Sequence, residues 1–179
     1  MSRLPTFITV LLTLCAFCFG QSTSRAAPGQ ASPPQFGAKW KTLIGEWKGE
    51  NQSGAPSGAC GFHFDLSDHV IVRTNHAELS GSAGPAHDDL MVISPETDEN
   101  KTRAFYFDNE GHTIEYAATW SADGNSLTFL SKPGPGPQFR LIYKKLNADS
   151  YSVAFEMSAP GQPGAFRPYT SGKISRSTK

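Results

Sequence analysis

The feature that most constrains this chain is a rhythm. From Glu46 onward the sequence runs in short segments of alternating or mixed hydrophobicity, each ended by turn-forming residues, and no long helical period interrupts them. The segments are Glu46–Gln52, Gly61–Leu66, Val70–Ser80, Asp88–Ser94, Thr102–Asp108, Thr113–Ser121, Ser126–Ser131, Phe139–Leu146, Tyr151–Met157 and Tyr169–Ser175. Period-two alternation puts one set of side chains on each face of a strand. Two of the turns, Asn109 to Gly111 and Ala122 to Gly124, end in glycine, which suits a three-residue hairpin loop with its last residue in the left-handed region. Sequential hairpins of this kind predict an all-β fold of about ten antiparallel strands in an up-and-down barrel, which also removes exposed sheet edges. A two-sheet sandwich has the same strand count and is the alternative.

Ahead of the strands, Phe36, Trp40 and Leu43 fall at i, i+4 and i+7, predicting one short amphipathic helix. The stretch 21–35 is small, polar and proline-rich, the composition of a disordered lead or linker. Residues 1–20 read as a secretory signal peptide: Arg3 supplies a positive charge, and the apolar run from Phe7 to Gly20 is shorter than the ~20 residues of a membrane span. Cleavage before Gln21 is expected, with Ser24 and Ala26 offering a second site. Lipid attachment at Cys15 or Cys18 is disfavoured by the bulky Leu14 and Phe17 that precede them.

The folded domain is therefore expected over 36–179, in a secreted or periplasmic protein with no membrane span once the signal is removed. Cys60 is then the only cysteine left, so no intramolecular disulfide can form and the core must supply the stability. A chain of this length suffices for one domain that buries roughly two thirds of its surface. Formal net charge is +0 and the basic residues are scattered, which favours neither nucleic acid nor an anionic membrane surface as partner.

The first strand carries Gly45-Glu46-Trp47. In a small barrel this strand must bend sharply to close one end; Gly45 permits the bend, and Trp47 pointing inward would plug that end beneath the helix. A planar cation from the last strand commonly covers such an indole, and Arg176 is the candidate, with Lys173 second. The arrangement resembles the calycins, namely lipocalins, fatty-acid-binding proteins and their relatives. The segments "LIGEWKGE", "HDDLMVI", "FYFDNEGHTIEY" and "FRLIYKKL" are similar in character to those of a group of uncharacterised bacterial secreted proteins with a lipocalin-like domain. The resemblance spans most of Trp40 to Arg176 and implies the barrel, with no established activity to carry over. Nitrobindin-like haem-binding barrels are more distant kin; they use a histidine near the C-terminus, whereas this chain has none after His112, so no cofactor is expected.

The Asn109–Gly111 loop sets a register in which Asp108 opposes His112, Tyr106 opposes Ile114 and Ala104 opposes Tyr116. One face then carries Tyr106, Asp108, His112, Ile114, Tyr116 and Trp120, and the other Arg103, Phe105, Phe107, Thr113 and Glu115. Arg103 and Glu115 are more easily left in water, so the tyrosine face is expected inward; a one-residue slip would reverse it. On Val70–Ser80, Arg73 and Asn75 share a face, where they could hold a carboxylate or carbonyl, since a guanidinium matches a carboxylate bidentately. Alternatively Arg73 pairs with a strand neighbour such as Asp89. The cluster Ala86 to Leu90 could join His76 or His112 in a metal site, but its spacing matches no standard pattern, and Asp88 and Asp89 are ordinary at a strand entry, so no metal is expected. Cys60 has no activating neighbour and reads as an inert thiol.

These residues point to an exported barrel that binds a small hydrophobic or amphipathic molecule. The expected lining is Arg73, Asn75, Asp89, Tyr106, Asp108, His112, Ile114 and Tyr116. The alternatives are an enzyme using His, Asp and Tyr groups at the barrel mouth, and an envelope interaction module without a deep pocket. A cavity of several hundred cubic ångströms would favour the binder. Clustering of His87, Asp89 and His112 with a perturbed pKa would favour the enzyme.

Overall fold

The computed structural model describes residues 35–78, 86–96 and 101–178. The expected signal peptide and all of the lead except Gln35 lie outside the described residues, as does the end of the Val70–Ser80 segment. A one-turn helix α1 (Ala38–Lys41) is followed by β1 (Gly45–Asn51), β2 (Pro56–Asp65), β3 (Val70–Ala77), β4 (His87–Pro95) and β5 (Thr102–Asp108). The second half comprises β6 (Thr113–Trp120), β7 (Ser126–Ser131), β8 (Gln138–Asn147), β9 (Ser150–Ser158) and β10 (Arg167–Arg176).

Each strand pairs antiparallel with its neighbours in sequence, and β10 pairs with β1 to close the barrel. The architecture is thus the expected up-and-down barrel rather than a sandwich. The hairpin register is also the one read from the glycine-ended loop: Tyr106 lies opposite Ile114 and Ala104 opposite Tyr116. Pairing extends β2 five residues beyond the segment visible in the sequence, back to Pro56. Here the ladder overrides weak local propensity. Gly58, at φ +126°, lies so close to β3 that a Cβ would meet the His76 carbonyl oxygen at 1.9 Å.

The lower end of the barrel is closed by stacked aromatics. Trp40 of α1 packs edge-on against Trp120 at 5.7 Å and Phe129 at 6.3 Å, and Phe36 reaches Phe64 at 5.9 Å. Trp47 is buried against Tyr151 at 5.4 Å and donates its indole N–H to the Leu43 carbonyl at 2.8 Å. The Arg176 guanidinium lies 4.3 Å above the Trp47 ring and donates to the carbonyls of Ile44 and Thr42, each at 2.9 Å. One planar cation therefore caps the indole and ties the chain that leaves α1 to the last strand. Lys173 does not share this role; it pairs with Glu50 at 3.4 Å.

Candidate functional site at the barrel mouth

Strand alternation carries inward side chains upward from the plug in layers. Midway up, five rings in edge contact cross the interior in the order Phe62, Tyr143, Phe129, Tyr116 and Tyr106, with centroids 5.7 to 6.3 Å apart. Ile71, Met91, Ile93 and Ala104 fill the space around them and are fully buried. The interior below the mouth is packed with side chains.

The polar groups stand on one wall of the open end, on β3 to β6. Arg73, 5% exposed, pairs with Asp89. The second oxygen of Asp89 accepts from Asn75 Nδ2 at 2.9 Å. The alternative partner named from the sequence is thus the one the guanidinium takes. Burial opposes the charge on Arg73, but Tyr143 and Asp89 outweigh it and hold the group cationic. His87 joins the cluster through Tyr106 at 2.9 Å, Glu110 at 3.3 Å and Asp89 at 3.7 Å. Tyr106 donates to Asp108 Oδ2 at 3.2 Å, and His112 Nδ1 reaches the same oxygen at 3.0 Å. Asp108 Oδ1 accepts the backbone N–H groups of Glu110 and His112 at 3.1 and 2.8 Å.

Electrostatics follow from this arrangement. Burial and the carboxylates of Asp89 and Asp108 push the Tyr106 phenol well above its usual range, and burial does the same for Tyr116, so both stay neutral. Burial alone would raise the Asp108 carboxyl, but its hydrogen bonds from His112 and Glu110 lower it below 3.8. Cys60, a buried residue of β2, has its thiol pushed up to about 11 by burial, as expected of an unreactive thiol.

All the residues expected to line a pocket lie on this wall. Arg73, Asp89 and Tyr116 are buried, and Asn75, Tyr106, Asp108 and Ile114 are half-buried. His112 sits on the rim with its side chain 63% exposed. Phe105 and Phe107 point outward, 38% and 44% exposed, as the face assignment requires. Among the described residues no three His, Cys, Asp or Glu side chains converge as metal ligands.

The sequence reading missed the opposite wall. Phe139 of β8 and Val153 and Phe155 of β9 share the inward face of Leu141, Tyr143 and Tyr151, yet they are only half-buried. Phe139 stacks on Phe155 at 5.8 Å, and Tyr169 meets Phe155 edge-on at 5.9 Å. Tyr169 falls where the β9–β10 register slips between Pro168 and Thr170; such a bulge re-aims a side chain at a rim. The same alternation rule applied to β8 and β9 finds these residues.

A depression of about 160 Å³ adjoins Tyr169, lined also by Met157, Ala159, Gln162 and Ala165. A broader one, about 390 Å³, crosses β1 to β4, and its lining includes Glu46, Cys60, His76 and Asp88 together with Asn75 and Asp89, two of the residues expected to line a pocket. His76 and Asp88 pair there at 2.7 Å with both side chains more than half exposed. The β9–β10 loop does not lie across the mouth. Phe166 packs under the Arg140 guanidinium at 4.1 Å, and Gly164 N–H donates to Gln138 Oε1 at 3.1 Å. Arg140 also pairs with Glu156, its cross-strand neighbour on the outer face.

No known family model matches the chain, and no curated protein matches it.

Proposed function

We propose that the chain is an exported calycin-like barrel that binds one small, partly apolar molecule at its open end. The observation that carries this reading is the asymmetry of the mouth. One wall is a polar network whose charges are paired internally, and the other presents Ile114, Phe139, Val153 and Phe155 half-buried at the end of an otherwise packed core. Apolar surface left at a concave opening, with a few convergent polar groups, is the usual composition of a ligand site. The rim depression of about 160 Å³ is smaller than the ~300 Å³ of a typical small-molecule pocket, so the ligand must also engage the mouth itself. Export rests on the charged and apolar pattern of residues 1–20.

The chain of contacts from His87 through Tyr106 and Asp108 to His112 is the observation that favours an enzyme. Burial and the neighbouring carboxylates push the pKa of its central phenol well above the usual range, however, and a general acid or base works best with its pKa near the operating pH. Binding is therefore the better reading.

The test is a fluorescence titration with a neutral arylnaphthylamine, which brightens in apolar surroundings. Saturable binding to the wild type is expected. Phe155→Asp should weaken it by roughly 2 kcal/mol, the scale of one aromatic contact surface lost. Absence of binding, or equal binding to both proteins, would contradict the proposal.

A further inference from the structure

The β9–β10 side of the mouth holds a cation that the protein leaves without an anion. Of the basic residues on β10, Arg176 caps Trp47 and Lys173 pairs with Glu50. The Arg167 guanidinium makes no hydrogen bond, ion pair or ring contact among the described residues. Glu156, which opposes the adjacent Pro168, is already taken by Arg140. Exposed cations without partners are ordinary on a protein surface. This one borders a concave hollow beside the aromatic wall. Arg167 lies directly opposite Met157, and Met157 lies directly opposite Phe139 on its other side. Arg167 and Met157 both line the rim depression of about 160 Å³, with Gln162, Ala165, Pro168 and Tyr169. The lining holds one cation and no acid.

Resting on the binding reading above, we infer that this hollow seats the ring of an aryl carboxylate, with the carboxylate on Arg167. Roughly 150 Å³ suffices for benzene, so a hollow of about 160 Å³ takes one six-membered ring. Its walls suit a flat ring. Tyr169 presents a ring that is 71% exposed, and Met157 presents a thioether. Ring–ring and sulfur–ring contacts both favour an aromatic ring over a saturated one of the same size. Whatever the ligand carries beyond the ring would run past Met157 onto Phe139 and Phe155, the half-buried lining of the mouth.

The charge selects the head group. A guanidinium presents paired N–H donors that match the two oxygens of a carboxylate in one plane. An ammonium group would meet Arg167 with no acid in the lining to receive it, and a neutral amide would forgo the attraction. Because Arg167 is exposed, water screens the pair, and the charge adds about fivefold in affinity, the upper end for a surface ion pair.

The experiment titrates the isotope-labelled full-length protein at low salt with benzoate, benzamide and cyclohexanecarboxylate, followed by amide chemical shifts. Benzoate should shift the Met157, Ala165 and Tyr169 amides saturably. It should bind about fivefold more tightly than benzamide, and more tightly than cyclohexanecarboxylate. Added salt should narrow the gap to benzamide. Arg167→Gln removes the charge at an exposed position, so the variant should fold as the wild type does and should bind benzoate and benzamide equally. Four results would each overturn the inference: no saturable shift at the hollow, equal binding of benzoate and benzamide to the wild type, cyclohexanecarboxylate binding as well as benzoate, or a benzoate preference that survives Arg167→Gln. If the arylnaphthylamine still binds in that event, the binding reading stands without the aryl carboxylate. If neither benzoate nor the arylnaphthylamine binds, both fall together.

Discussion

Gly45 shows how one residue type is dictated by another far along the chain. Its φ of +126° is a conformation that side-chain-bearing residues avoid, and a Cβ there would stand 2.9 Å from Arg176 Nη1. The glycine therefore leaves room for the guanidinium that covers Trp47. Trp47→Ala should cost about 3–5 kcal/mol, as for other large core aromatics. Gly45→Ala should cost about 1–3 kcal/mol through backbone strain. Urea unfolding measures both, and wild-type midpoints for either would remove this account of the closed end. The spacing Gly-x-Trp made the plug legible in the sequence.

Arg73 was less legible. Alternation put it indoors, but its directly opposed neighbour on β4 is Met91, and Asp89 is reached only diagonally, beside Asn75. That diagonal depends on register and rotamer, neither of which composition reveals. Asp89→Asn should cost about 3–5 kcal/mol, because it leaves a buried guanidinium without its anion. Replacing both Arg73 and Asp89 with apolar residues of similar volume should recover most of that loss. A denaturation cycle over the two positions checks this, and additive single and double effects would mean the pair is not coupled.

At the scale of elements, the β5–β6 hairpin is organised by Asp108, whose carboxylate gathers two backbone N–H groups, a phenol and an imidazole. Because its folded pKa is lowered below 3.8, the carboxylate's contribution to stability is full above the ordinary carboxylate range and is lost as pH falls through the folded value. Hydrogen-exchange protection of the Glu110 and His112 amides should therefore decline on acidification, and Asp108→Asn should flatten that decline. Unchanged acid sensitivity in the variant would place its origin elsewhere. The loop's Asn-Glu-Gly made this hairpin readable, and its register followed. The first half of β2 was not readable, because Pro56, Ser57, Gly58 and Ala59 have no strand propensity of their own and are held by β1 and β3 on either side. The apolar wall on β8 and β9 lay within reach of the alternation rule, but which of its residues would stay half-exposed depends on where the core stops filling the barrel.

For the whole molecule, closure of β1 on β10 leaves every strand paired on both sides, so the sheet offers no edge for another chain to join. No helix among the described residues is long and apolar enough to cross a membrane. At the mouth of the closed barrel Ile114, Phe139, Val153 and Phe155 stand half-buried. Native mass spectrometry of the protein purified from its own cells tests the central claim of a binding mouth most directly. The account predicts a fraction of the protein carrying one small organic molecule, released by gentle activation and absent from Phe155→Asp. A single ligand-free mass for the wild type, unchanged after incubation with the arylnaphthylamine, would contradict it.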